Sequence, residues 1–266
     1  MKHHTPTFER LRPEARALLG DDGPPEKENA ARAGNPDGAN EEYAKGEKIY
    51  SEKRKENQAR IDALLGFSTH SDSPLDVVMK MTEFPDISGS RAKLLPLSMR
   101  DFYDELPHRE GRTKEALPLI VGGEFGKERS PEGSLRHAAN RKNVTVVVLD
   151  YDGGEISFAE ARDEIEEAGV AAVGFTTPSH TEDAPRHRWL FPLSRPHSPD
   201  EIIELTERAN AFLDGMAAEE SGRIAQSFYF GRVTSKPRLQ RALINGDFLD
   251  ARDDIEPVPL IGKPSK

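Results

Sequence analysis

Five β-branched residues and a leucine, Val144-Thr-Val-Val-Val-Leu149, run directly into Asp150-Tyr-Asp152-Gly-Gly154. An unbroken apolar segment of this length and composition suits a strand buried on both faces. Side chains alternate along a strand, so Asp150 and Asp152 fall on one face and can share a divalent cation, Mg2+ or Mn2+. The two glycines let the chain turn sharply and leave that face open. An Asp-x-Asp at the end of a buried strand is a recurrent device for metal-assisted phosphoryl or nucleotidyl transfer. Without its surroundings, the same pattern is only a strand ending in a polar turn.

The surroundings divide the chain. Up to about residue 40 it is rich in Gly, Pro, Asn, Asp and Glu, a composition that cannot bury enough apolar surface to fold alone. Residues 41–65 are charged and helix-favouring, with Ile61, Leu64 and Leu65 at the end. Residues 1–65 therefore read as a partly disordered, helical N-terminal extension. The stretch 66–140 reads as a loosely organised lead-in, with a short capped helix at Leu97–Tyr103 and a strand at Leu117–Val121. A domain over 66–250, with its core at 144–232, and a tail over 251–266 complete the division.

Within the core the periodicities are regular. After the first strand, Ser157-Phe-Ala-Glu160 is a capping box opening a helix with Phe158, Ala161, Ile165 and Ala168 on one face. Val170–Phe175 is a second strand and Arg188–Phe191 a third. Ser198-Pro-Asp-Glu201 starts another helix, lined by Ile202, Leu205, Ala209, Phe212 and Met216. Ser227-Phe-Tyr-Phe230 is a fourth strand. The fold class is α+β, an RRM-like or ferredoxin-like βαββαβ core. In that order the ends of the strands gather Asp150, Asp152, Thr177, Ser179, His180, Arg186, His187, Arg188 and the approach from Glu219 to Arg223 at one edge.

Composition sets outer bounds. The chain has no cysteine, which excludes thiolate chemistry and disulfides. No run of about 18 apolar residues occurs and the N-terminus lacks an apolar signal segment, so a cytoplasmic protein without membrane contact is expected. The net charge of -10 argues against non-specific nucleic-acid binding by the whole molecule. From Ser221 to Arg241, however, there is no acid, and Arg223, Arg232, Lys236, Arg238 and Arg241 alternate with Phe228, Tyr229 and Phe230. Such a run suits a single strand, through phosphate contacts and base stacking.

Leu149-Asp-Tyr-Asp-Gly-Gly154, then Thr176-Thr-Pro-Ser-His-Thr181, then Pro185-Arg-His-Arg-Trp-Leu-Phe-Pro-Leu-Ser194 resembles the catalytic module of phage and plasmid replication proteins of the archaeo-eukaryotic primase superfamily, the primase-polymerases. The resemblance runs from about Leu97 to Asp250. It implies metal-dependent nucleotidyl transfer from nucleoside triphosphates on a single-stranded DNA template. Asp150 and Asp152 match the first metal-binding motif and would be the catalytic pair. His180, or His187, stands for the nucleotide-binding histidine, with Ser179, Arg186 and Arg188 beside it. The family carries a further metal-binding acid shortly before the fourth strand; here Glu219 or Glu220 occupies that neighbourhood, with Asp214 farther off. Arg223, Tyr229 and Arg232 would face DNA. No P-loop is visible, since Gly122-Gly-Glu-Phe-Gly-Lys127 is followed by Glu128, so a helicase would act in trans.

Two other readings fit parts of the pattern. A catalytically degenerate relative would bind DNA or a replication partner without polymerising. A haloacid-dehalogenase-type phosphatase would use Asp150 as nucleophile, Thr176 or Thr177 for phosphate, and Gly246–Asp250 as a last motif.

Overall fold

The structure, a computed structural model, describes residues 73–236 and 238–260. The expected N-terminal extension lies outside the described residues. In chain order the elements are β1 (Met79–Phe84), β2 (Lys93–Leu97), α1 (Met99–Glu105), β3 (Glu110–Gly111), β4 (Leu119–Val121), β5 (Val144–Tyr151), α2 (Phe158–Glu167), β6 (Ala172–Thr176), β7 (His187–His197), α3 (Ile202–Asn210), β8 (Phe228–Tyr229), β9 (Arg232–Val233) and β10 (Arg241–Ile244). The fold is mixed α/β with antiparallel sheets. One sheet has the order β2-β1-β4-β8, the other β10-β6-β7-β5, and β3 and β9 form a short parallel pair.

The second sheet is the central layer. One of its faces, with Val146, Val148, Val173, Phe175 and Leu190, packs against Met79, Met81, Ile120 and Phe228 of the first sheet and against Met99 and Phe102 of α1. The opposite face, with Val147, Leu149, Tyr151, Trp189 and Phe191, packs against Phe158 and Ile165 of α2 and Leu205 and Ala209 of α3. Burial on both faces is why the β5 sequence is apolar at consecutive positions. Both helices carry apolar residues at helical spacing. Ser157 and Glu160 close the capping box of α2, and Ser98 and Asp101 that of α1. Trp189 lies flat on Phe158, with ring centroids 5.2 Å apart. On its other side Gly174 makes room, since a Cβ there would lie 2.2 Å from the indole.

Three expectations need correction. Residues 79–121 are not a loose lead-in, because β1, β2 and β4 build most of the first sheet. Their signal was weak because the strands are short and β1 breaks simple alternation, with Met79 and Met81 buried around exposed Lys80 and then polar Thr82 buried as well. Next, Ser227–Phe230 does not extend the central sheet. Its strand, β8, pairs with β4 in register Leu119↔Tyr229 and Ile120↔Phe228. The fourth central strand is instead β10, beside β6, a segment whose four residues bury only Ala242 and Ile244 and so resemble a poor strand in sequence. Finally, β7 lies between β5 and β6, but the outer edge of β5, where a βαββαβ core would place its fourth strand, carries none among the described residues. There Thr145 N–H donates to the Gly122 carbonyl, Asp150 N–H to the Ser221 hydroxyl, and Ala218 N–H to the Asp150 carbonyl.

Candidate active site at the end of the central sheet

Two adjacent rows of side chains cross β5, β7 and β6. Asp150, Arg188 and Phe175 are in register, and so are Tyr151, His187 and Thr176. Alternation sends the first row toward the first sheet and the second toward the helices.

In the first row, Arg188 donates from Nε (2.9 Å) and Nη2 (2.5 Å) to the same oxygen, Oδ1 of Asp150. Its Nη1 donates to the Tyr229 carbonyl at 2.5 Å. The guanidinium lies over the rings of Phe228 (4.7 Å) and Phe175 (5.9 Å), a favourable cation–π arrangement. The Arg188 side chain is 7% exposed and that of Asp150 18%. With its backbone tied to Ser221 and Ala218 as well, Asp150 is fixed from both sides. Its Oδ2 makes no hydrogen bond among the described residues. Asp152 follows one residue past the strand end and is half-buried.

The second row is core. His187 stacks on Tyr151 at 4.6 Å; its Nδ1 accepts from Trp189 Nε1–H at 3.0 Å. That bond leaves the proton on Nε2, which donates to the Ile156 carbonyl at 3.2 Å. Burial pushes the imidazole pKa down to about 4, so the ring is neutral at neutral pH. The Tyr151 hydroxyl accepts from the amides of Glu155 and Ile156 and shapes the turn after Asp152. His187 therefore has no ring atom left for a ligand.

Beyond the rows lies the β6–β7 turn. Thr177 N–H continues the pairing to the Arg186 carbonyl, and His180 N–H closes the turn on the Thr177 carbonyl. Arg186 N–H donates to His180 Nδ1 at 3.1 Å, which places the His180 proton on Nε2 as a donor. Burial lowers the His180 pKa, partly offset by Glu182, and this keeps the neutral form. Ser179 is exposed beside it. Arg186 is half-buried, and its guanidinium has no partner among the described residues. The turn forms one wall of a cleft lined by Thr177, His180, Gly231, Arg232, Lys236 and Arg238. Arg232 is paired with Glu110 at 2.5 Å, whereas Lys236 and Arg238 are exposed without ion pairs among the described residues.

The remaining sequence-derived residues are distributed differently from the expected sets. Tyr229 contributes its carbonyl to Arg188, while its ring packs with Phe84, Leu119 and Val121 under Lys114. It thus does not share Arg232's surroundings. Arg223 is exposed. Glu219 and Glu220 sit on the 3-10 turn Glu219–Gly222, flanked by Ala218 and Ser221, which bond to the Asp150 backbone. Even so, no three of the Asp, Glu and His side chains form a metal-holding cluster among the described residues. The donors present are carboxylate oxygens. Such oxygens suit a hard cation such as Mg2+ or Mn2+, but too few are gathered among the described residues to cage one with protein alone.

Sequence reasoning missed the Ser221 hydroxyl, the Tyr229 carbonyl and the place of Lys236 and Arg238 in the cleft. The acid-free run from Ser221 to Arg241 was the only signal for the last two. It also covers Arg241, whose guanidinium lies 4.0 Å over Tyr103 and bonds the Tyr103 carbonyl, a structural contact. Of the phosphatase-like features, the threonines are followed by a turn into β7 where a phosphate-binding helix is required, and Asp250 is engaged by Ser194 and His197. Among the described residues no helix is long and apolar enough to cross a membrane.

No protein-family model matches the chain, and no curated protein matches it. Among solved structures, the chain is similar to the AEP domain of the cyanophage S-2L primase-polymerase (PrimPol). The match spans 68% of this chain and 90% of that domain, with 14% sequence identity and a TM-score of 0.40.

Proposed function

We propose that the end of the central sheet is a nucleotidyl-transfer site that extends a strand on a single-stranded DNA template from nucleoside triphosphates. The observation that carries this reading is the register across β5, β7 and β6, which places a fixed Asp150, whose Oδ2 has no hydrogen bond among the described residues, at the same sheet end as the turn bearing His180 and its cleft edged by Arg232, Lys236 and Arg238. The residue-by-residue resemblance of 149–154, 176–181 and 185–194 to primase-polymerase motifs supports it independently of the geometry.

In this reading Asp150 and Asp152 hold Mg2+ or Mn2+, with Glu219 or Glu220 as the candidate third acid. A cation held there would supply the Lewis acidity that lowers the pKa of a 3′-hydroxyl and would offset phosphate charge. His180 donates from Nε2 to a phosphate oxygen. Arg186, Lys236 and Arg238 offset the charge of the triphosphate and of the template backbone. Arg188 serves Asp150 instead of the triphosphate, and His187 serves the core. Arg223 is left to contact the template strand.

A second reading, a module that binds nucleotide or DNA without turnover, is favoured by the lack of a three-acid cluster among the described residues. Incorporation of labelled nucleotide on primed and unprimed single-stranded DNA, with Mg2+ or Mn2+, separates the two. The wild type is expected to incorporate, and Asp150→Asn or Asp152→Asn to lose activity by on the order of 100-fold or more. Retained binding without incorporation by the wild type would favour the non-catalytic module. Turnover of a phosphate monoester abolished by Asp150→Asn would favour the phosphatase.

A further inference from the structure

We infer that Arg188 is a positioning residue that makes cation loading at Asp150 conditional on the nucleotide, an inference that rests on the nucleotidyl-transfer reading. Arg188 is unusually constrained. Three of its N–H groups are committed, two to one oxygen of Asp150 and one to the Tyr229 carbonyl, and its faces are covered by Phe228 and Phe175. Swinging away would break all three bonds and strand a buried cation, so the pair persists when a ligand arrives.

Two consequences follow for Asp150. First, its carboxylate is locked in rotation and offers a single oxygen, Oδ2, outside the ion pair. Second, the guanidinium cancels the charge that Asp150 brings. A hard divalent cation takes six or more oxygens. No three acids cluster there among the described residues, and Asp150 is already neutralised, so the protein alone supplies too few oxygens and too little charge to retain it. The non-bridging oxygens of a triphosphate, held by His180 and the cleft cations, supply both. Arg188 thus disfavours a cation bound without substrate while keeping Asp150 aimed at one bound with it.

Mn2+ titration followed by electron paramagnetic resonance, on the full chain with and without a non-hydrolysable nucleoside triphosphate analogue, tests this directly. The wild type is expected to hold Mn2+ weakly alone and much more tightly with the analogue. Arg188→Gln is expected to raise nucleotide-free Mn2+ affinity by about tenfold, the scale of removing one nearby positive charge. Arg188→Lys keeps that charge and is expected to match the wild type without nucleotide, with weaker nucleotide-linked binding because the two-bond hold on Oδ1 is gone. It keeps the test open if Arg188→Gln does not fold. Tight nucleotide-free Mn2+ binding by the wild type, unchanged nucleotide-free affinity in Arg188→Gln, or a rise in Arg188→Lys would overturn the inference. If those results accompany a nucleotide-linked site that Asp150→Asn removes, only the role of Arg188 falls. A wild type with no nucleotide-linked site falls with the nucleotidyl-transfer reading itself.

Discussion

His180 and His187 stand seven positions apart, one on the β6–β7 turn and one at the first residue of β7, and the structure uses them in opposite ways. His187 lies in the row that faces the helices, with both ring nitrogens engaged and its ring against Tyr151. His180 lies on the turn, with Nδ1 accepting from the backbone and Nε2 left to donate into a cationic cleft. The two arginines repeat the contrast. Arg188 is buried against Asp150, while Arg186 has no side-chain partner among the described residues. Two residues of one type in one short motif are divided by strand alternation and by where the strand begins.

This division can be broken experimentally. The largest effect is expected from His187→Ala, which leaves a cavity beneath Tyr151 and an unpaired Trp189 N–H. Urea unfolding should show a loss of about 3–5 kcal/mol. If His187 held a ligand instead of the core together, stability would barely change.

The acid dependence of stability comes next. His187 is held well below its ordinary pKa, at about 4 against 6.5, so the unfolded chain binds its proton first as pH falls. Its contribution is complete above pH 6.5 and is lost as pH drops from there toward 4, a total of about 3 kcal/mol. Unfolding midpoints between pH 7 and 4.5 should fall in the wild type and in His180→Ala, and this part of the slope should vanish in His187→Phe.

Smaller effects belong to the open side of the comparison. His180→Ala is expected to leave stability within about 0.5 kcal/mol and to weaken nucleoside triphosphate binding by roughly tenfold. Equilibrium titration with a fluorescent nucleotide measures it. Lys236→Ala and Arg238→Ala should each reduce the salt slope of single-stranded DNA binding by about one, with no change in the unfolding midpoint. A slope unmoved by either substitution would place the template elsewhere.

How far the sequence revealed this arrangement depended on the kind of signal. β5, α2, β6, β7 and α3 were legible because buried strands and capped amphipathic helices leave strong periodic patterns. β10 was not, because an edge strand of four residues needs only two buried side chains. β8 was legible as a strand, but its partner, β4, is set by long-range packing that no local pattern encodes. In the site, Asp150 and His180 stood out as residue types at a strand end and a turn. The division of labour between Arg186 and Arg188 follows from register across three strands. It became visible only once Asp150, Arg188 and Phe175 were aligned.

The central claim is that the nucleotide sits on the side of the sheet end that faces the β6–β7 turn and the 231–239 segment. Photolabelling the full chain with an azido-nucleoside triphosphate, followed by peptide mapping, tests this most directly. The label is expected within residues 176–186 and 231–239, competed by unlabelled nucleotide and diminished by His180→Ala. Competed label confined to other segments, unchanged by His180→Ala, would contradict it.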